Sequence, residues 1–186
     1  MLADVVSRTP GHDVALIVGG ALLTALLAQV SLSVPGSPVP ITGQSLGVIV
    51  TAAALGPLRG AAAMGLYLLL GAVGLPVYAE GSSGLSRLMG ATGGFLVGFL
   101  PAAFLVGLAA RHGMDRRPWS ALVVFIGGQL LIFAVGVPWL VVAARLGLAK
   151  AIDVGFLPFV PGGLIKAAIA AMLVPLAWRF VDRRDS

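Results

Sequence analysis

Lys166 is the residue of this chain whose type and position most clearly predict chemistry. It is the only formal charge between Asp153 and Arg179. A lysine in the hydrocarbon region of a bilayer costs between about 2.5 and roughly 10 kcal/mol or more, and such residues usually mark a ligand site or a transport pathway. A snorkelling side chain, or an ion pair with Asp153 or Glu80, is the structural alternative.

The chain around Lys166 predicts what such a site would bind. A segment broken by Pro158, Pro161, Gly162 and Gly163 runs directly into an apolar helix that carries Lys166 about one turn from its start. A helix N-terminus presents free N–H groups and a partial positive charge, and the lysine adds a full one. The glycines bring backbone close, so the segment predicts a site for an anion or a strong hydrogen-bond acceptor.

Two other connections carry polar or aromatic residues that we expect on the same outer side. Thr42 and Gln44 follow a proline-rich loop, and Tyr78 and Glu80 follow the third predicted helix. Irregular backbone at membrane depth is tolerated where it lines a cavity. Gln44 is a candidate donor to an amide-like group or an interhelical contact, and Tyr78 and Phe159 are candidate apolar walls or interface aromatics.

Catalytic and metal chemistry have little support in the sequence. The chain has no cysteine, and its two histidines, His12 and His112, lie at the predicted cytoplasmic edge without ligand-like neighbours. No predicted span contains a carboxylate, and no glycine-rich phosphate loop occurs. We therefore predict that the protein is not an enzyme and that it binds no metal or cofactor itself.

Composition places the chain in a membrane, because 59% of its residues are hydrophobic, only 10% are charged and the mean hydropathy is +1.04. A span needs roughly 20 apolar residues. We predict an all-α membrane protein with a single domain over residues 1–186. Its six transmembrane helices are predicted near residues 14–33, 41–57, 60–75, 92–110, 119–143 and 161–179.

The distribution of Lys and Arg predicts the orientation of these spans, because cytoplasmic loops carry the excess of positive charge. With both termini cytoplasmic, eight arginines lie inside and three basic residues outside. The inner set is Arg8, Arg59, Arg111, Arg116, Arg117, Arg179, Arg183 and Arg184, and the outer set is Arg87, Arg145 and Lys150. Topology thereby explains the net charge of +5 without a nucleic-acid partner.

Small residues along the first helix form a smooth strip around Gly20, Ala21, Thr24, Ala25 and Ala28. Small residues let helices approach closely in lipid. From spacing alone, the strip packs inside the bundle or docks a partner membrane protein.

Gln129, in the fifth predicted span, is expected to be an interhelical polar contact.

Several motifs together resemble one family. They are Pro38-Val39-Pro40-Ile41-Thr42-Gly43-Gln44-Ser45-Leu46-Gly47, Leu55-Gly56-Pro57-Leu58-Arg59-Gly60, Tyr67 to Ala79, Thr92 to Phe99, Gly136-Val137-Pro138-Trp139-Leu140, and Leu157 to Gly162 with Lys166. In this order they resemble the BioY family, the substrate-binding S components of bacterial biotin transporters of the energy-coupling factor (ECF) type.

The resemblance implies a six-helix S-component bundle in the bacterial cell membrane, with an outward-facing biotin pocket. Lys166, Gly163, Gly162, Gln44, Glu80, Tyr78, Thr42 and Phe159 are the implied ligand-binding residues. A transmembrane coupling subunit and two cytoplasmic ATPases are the implied partners, and only these partners use ATP. In the family the small-residue face of the first helix docks the coupling subunit, which implicates Ala21 and Ala25.

One departure from the family pattern concerns the counter-charge of Lys166. The family motif usually carries an acid where this chain has Gly163, three residues before the lysine. A buried charge without a partner is costly. Either the ligand supplies an acceptor, binding is weakened, or another acid substitutes, for which Glu80 is the first candidate and Asp153 the second.

Three alternative functions are compatible with parts of this pattern. One is an S component for another small vitamin or a biotin precursor, because the change at Gly163 could shift specificity. A solitary facilitator is the second. A membrane enzyme is the third, and the lack of any carboxylate, cysteine or histidine within a span disfavours it.

Overall fold

The structure, a computed structural model, describes residue 2 and residues 10–182. The described residues form α-helices and one antiparallel hairpin. The helices are α1 (Pro10–Ala28), α2 (Gln44–Leu55), α3 (Pro57–Ala72), α4 (Leu85–Met89), α5 (Gly93–Arg111), α6 (Pro118–Ala143), α7 (Leu148–Gly155) and α8 (Val160–Asp182). The strands are β1 (Ser31–Leu32) and β2 (Ile41–Thr42), and 3-10 turns occupy Ala79–Gly81 and Leu157–Phe159. Arg8, Arg183 and Arg184 lie outside the described residues.

The predicted all-α class is confirmed, and each of the six predicted segments contains a long helix. The main difference at the N-terminal end is that α1 stops at Ala28 instead of continuing to residue 33. The chain beyond it pairs Ser31 with Thr42 and Leu32 with Ile41. The short helices α4 and α7 were not predicted, because each is a brief amphipathic or polar segment between apolar runs.

Four segments of the described chain are long and apolar enough to cross a bilayer: α1, α5, α6 and Leu148–Phe180. The helices α2 and α3 have 12 and 16 residues. At 1.5 Å per residue they extend about 18 and 24 Å, less than the roughly 30 Å hydrocarbon core. Six crossings and cytoplasmic termini therefore stay predictions at this point.

Glycines bring α5 against the junction between α2 and α3. A Cβ atom built at Gly107 would lie 2.6 Å from the backbone nitrogen of Pro57, too close for any side chain. At the junction itself, Gly56 has a φ of 86°, which is the left-handed region that favours glycine. The close approach lets α5 contact α2, α3 and α6, and this central position makes α5 one wall of the site described below.

The small-residue strip of α1 faces the interior of the bundle. Ala21 and Ala25 are 1% and 9% exposed. A Cβ at Gly20 would meet Thr51 of α2 and Ala63 of α3. The prediction that Ala21 and Ala25 present a docking surface is therefore not met in this structure, because the strip packs against α2 and α3.

The loop between α5 and α6 is anchored to α8 by a buried acid. Asp115 is fully buried and accepts a hydrogen bond of 2.7 Å from the indole N–H of Trp178. Burial raises the pKa of the Asp115 carboxyl above its usual range. The guanidinium of Arg116 lies 4.2 Å above the Trp178 ring. These contacts hold the loop between α5 and α6 against the C-terminal part of α8.

We expect Gly107→Ala to lower the free energy of unfolding by about 1–3 kcal/mol, because its methyl group would overlap backbone that cannot move aside. Gly127→Ala on α6 is the matched control. A Cβ there meets nothing within 4 Å, so its effect should be neutral or stabilising by up to about 1 kcal/mol. Thermal unfolding in detergent measures both, and equal midpoints for the two variants would contradict the packing described.

Candidate functional site

A cavity, here called the main cavity, opens between β2, the loop before α4, and helices α5, α6 and α8. Its volume with the open mouth included is about 610 Å³, within the range of roughly 300–1,000 Å³ of small-molecule sites. Its walls are formed by Val39, Pro40, Thr42, Gln44, Ser45, Tyr78, Ala79, Arg87, Thr92, Phe95, Leu96, Phe99, Ile132, Phe133, Phe159 and Lys166. Five of the predicted site residues are thus brought together here.

Lys166 reaches from the second turn of α8 across to the start of α2. Its half-buried ammonium group donates to the backbone oxygen of Thr42 and to the Ser45 hydroxyl, both at 2.8 Å. Among the described residues no carboxylate pairs with it. An ammonium group has three N–H donors, so one donor is left for a ligand, and the positive charge faces the main cavity without a counter-ion.

Gln44 is held in one orientation by its neighbours. Its side-chain oxygen accepts a hydrogen bond of 2.8 Å from the Thr42 hydroxyl, and its amide nitrogen donates to the hydroxyl of Tyr67. Tyr67 is fully buried behind the wall. Because a primary amide has two donors and two acceptor sites, Gln44 keeps one of each for a ligand in the main cavity.

Aromatic side chains supply the apolar walls. The ring of Phe159 lies 6.4 Å from that of Phe95 in a stacked arrangement and 6.1 Å from Phe133. Tyr78 is 1% exposed, and its hydroxyl donates to the backbone oxygen of Leu68 at 2.6 Å. The Tyr78 hydroxyl is therefore committed to the protein, and its ring is the part that lines the main cavity.

The structure corrects the expected counter-ion of Lys166. Glu80 lies on the exposed 3-10 turn, where it accepts a hydrogen bond of 3.4 Å from Ser33 and is 3.9 Å from the guanidinium of Arg87. Asp153 pairs with Lys150 at 2.8 Å. Neither acid contacts Lys166, because each is held on its own loop by a nearer partner.

Gly162 and Gly163 also lie outside the walls of the main cavity. A Cβ at Gly162 would meet Ile41 at 3.6 Å, whereas one at Gly163 would lie 4.0 Å from the amide carbon of Gln129. Gly163 and Gln129 line a separate cleft between α6 and α8, here called the side cleft, which shares Phe133 with the main cavity. The expected interhelical hydrogen bond of Gln129 is not observed, since its amide nitrogen is buried without a partner.

Sequence reasoning missed several residues of the main cavity. Arg87 was counted only as an outer-loop charge, although it follows the predicted residue Glu80 by seven positions in the same connection. Ser45 directly follows Gln44, and its position at the start of a helix was the available signal. Phe95 and Phe133 carried none, because a phenylalanine in an apolar helix is equally typical of packing or of lipid contact.

Electrostatics define what the main cavity can bind. Lys166 and Arg87 both line it, and none of the described residues in its walls is acidic. Between these cations the walls are mainly aromatic and aliphatic. The arrangement fits a ligand with an apolar body and strong acceptors or an anionic group.

Comparison with known proteins gives consistent matches. The sequence pattern of the BioY family matches residues 4–183. The biotin transporter BioY of Rhizobium etli is 41% identical over 82% of this chain and 87% of its own length. The protein of the same name from Thermotoga maritima is 39% identical over 85% of this chain and 92% of its own length.

A solved structure shows the same fold. It is a crystal structure of the S-component for biotin from an ECF-type ABC transporter, with a TM-score of 0.80 and 26% sequence identity. The match covers 93% of this chain and 95% of that one.

Tyr67→Phe tests the network that orients Gln44. We expect a loss of about 1 kcal/mol in the free energy of unfolding, because a buried hydrogen bond disappears and the amide of Gln44 keeps an unpaired N–H group. Ser120→Ala removes a hydroxyl whose hydrogen bond to the Arg117 oxygen is exposed, and should change stability by less than about 0.5 kcal/mol. Thermal unfolding of both variants without ligand measures the two effects. An unchanged midpoint for Tyr67→Phe would show that the hydrogen bond between Gln44 and Tyr67 does not contribute to stability.

Proposed function

Because this chain belongs to the BioY family, we propose that it is the substrate-binding S component of a biotin uptake transporter and that it captures biotin in the main cavity. The observation that carries the proposal is the pairing of aromatic walls with two cations: Lys166, which no described carboxylate contacts, and Arg87, whose ion pair with Glu80 is long, at 3.9 Å. The family consists of transport proteins, so the prediction that the chain is not an enzyme is confirmed.

Biotin has the chemistry that these walls complement. The oxygen of its ureido ring is a strong acceptor for the remaining N–H of Lys166, and the ureido N–H groups match the free acceptor site of Gln44. The fused sulfur ring is apolar and packs against Phe95 and Phe159. In this binding mode the carboxylate at the end of the aliphatic chain pairs with Arg87, whose side chain is 32% exposed.

The protein is a multi-pass membrane protein, and we place it in the bacterial cell membrane with six crossings, both termini cytoplasmic and the main cavity facing outward. The excess of arginine on the inner side supports this orientation. The shortness of α2 is compatible with crossing, because Val48, Ile49, Ala52 and Ala53 are fully buried. A helix surrounded by other helices does not have to match the lipid thickness by itself.

The proposed partners are a transmembrane coupling subunit and two cytoplasmic ATPases, and in this assignment ATP is used by the partners while this chain binds no cofactor. The exposed side of α1 offers a place for the coupling subunit. Ala15 and Gly19 border a groove of about 450 Å³ against Val50 and Ala54 of α2. Small exposed residues allow another helix to approach closely in lipid.

Biotin binding tests the assignment of the two cations. Lys166→Met should weaken biotin at least about tenfold, equivalent to roughly 1.4 kcal/mol. Arg87→Met should weaken biotin similarly but leave the affinity for biotin amide, which lacks the carboxylate, nearly unchanged. Lys150→Met, which removes an exposed charge on α7, is the control and should bind both ligands normally.

Equilibrium binding to purified protein in detergent gives these values. Unaltered biotin binding by both cavity variants would contradict the assignment, and tighter binding of an unrelated vitamin by the wild-type protein would favour the alternative substrate.

Gly19→Leu tests the proposed docking face. We expect it to reduce co-purification of the coupling subunit by at least about tenfold while biotin affinity stays normal, because Gly19 is exposed and remote from the main cavity. Gly127→Leu, the same substitution on α6, is the matched control and should co-purify normally. If biotin uptake proceeds equally well in cells without coupling subunits, the solitary-facilitator alternative is favoured instead.

A further inference from the structure

The side cleft between α6 and α8 contains a polar group that the proposed binding mode does not use. Gln129 is 5% exposed, and its amide nitrogen has no hydrogen-bond partner. A buried donor without a partner costs about 1–3 kcal/mol, and such groups in folded proteins call for a specific explanation. The other described residues of the side cleft, apart from Gly163, have apolar side chains, so none of them offers a side-chain acceptor.

The side cleft that holds this amide shares one lining side chain with the main cavity. Phe133 lies one turn after Gln129 on α6, and it lines both the main cavity and the side cleft. Its partners are the rings of Phe95, Phe156 and Phe159, at centroid distances of 6.2, 5.1 and 6.1 Å. Because these contacts are between apolar rings, a rotation of Phe133 breaks no hydrogen bond.

Gly163 has no side chain, so the space beside the Gln129 amide is open. A Cβ at Gly163 would be in ordinary contact with the amide carbon of Gln129, at 4.0 Å. Lys166 lies three residues further along α8, and residues at this spacing are neighbours on the helix surface. The free amide of Gln129 and the charge of Lys166 therefore lie on adjacent sides of the wall formed by Phe133, and no acid of the described part of the chain lines either cavity.

We propose that Gln129 is a ligand-binding residue, and that the side cleft is a compartment of the main cavity in which its amide hydrogen-bonds the cyclic urea of the bound ligand. The inference rests on the proposed function and adds Gln129 to Lys166 and Gln44 as a protein group that meets the ureido ring. A primary amide both donates and accepts, so it pairs with the urea C=O and N–H at once. A carboxylate in place of the Gln129 amide would only accept hydrogen bonds, and it could not donate one to the urea oxygen.

The first test compares Gln129→Leu with wild-type protein in equilibrium binding of biotin and of desthiobiotin, which keeps the urea but lacks the sulfur. Both affinities should fall by the same factor, at least about tenfold. Val123→Leu, an exposed residue of α6 that lines neither the main cavity nor the side cleft, is the control and should bind both ligands normally. An unchanged biotin affinity, or a loss confined to biotin, would overturn the proposal.

A second measurement separates ligand contact from a structural role. Because the Gln129 amide nitrogen has no partner in the ligand-free protein, Gln129→Leu should leave its thermal midpoint unchanged or raise it. A lowered midpoint would overturn the assignment. If the wild-type protein itself fails to bind biotin, the proposed function fails; if the wild type binds and Gln129→Leu binds equally well, only the role of Gln129 fails.

Discussion

The hydrogen bonds of Lys166 to Thr42 and Ser45 are the interaction on which the architecture of the site depends. They join α8, near the C-terminal end of the chain, to the place where β2 ends and α2 begins. A charge within an apolar helix is tolerated because a backbone carbonyl and a hydroxyl replace part of its hydration. No acid among the described residues compensates the charge, which makes an acceptor-rich ligand the natural completion of the site.

The other polar groups follow from this connection. Thr42 gives its carbonyl to Lys166 and its hydroxyl to Gln44, and Gln44 in turn reaches Tyr67 in the interior of α3. One short segment thereby links three helices through directional bonds in a low-dielectric setting, where each such bond is strong and each unpaired group is costly. The unpaired amide of Gln129 stands out against this background.

Packing in this bundle depends on the absence of side chains as much as on their presence. Gly107 lets α5 approach the α2–α3 junction, and Gly20 lets α1 lie against α2 and α3. In lipid, association of helices relies on close van der Waals contact, because apolar side chains gain little by leaving a solvent as apolar as themselves. The strip of α1 that contains Ala21, Thr24, Ala25 and Ala28 is buried by this packing, so a partner has to use the exposed side of the helix, where Ala15 and Gly19 lie.

The sequence by itself determined the membrane setting, the positions of the long helices and the importance of Lys166, because hydropathy, helix breakers and an isolated charge are local properties. The motifs also identified the family. Only the tertiary structure decided which polar groups meet: it separated Glu80 from Lys166, turned Ala21 and Ala25 inward, placed Arg87 in the cavity and left Gln129 beside Gly163. These outcomes depend on how helices rotate and on which loops approach one another, and residues far apart in the chain carry no local signal of such contacts.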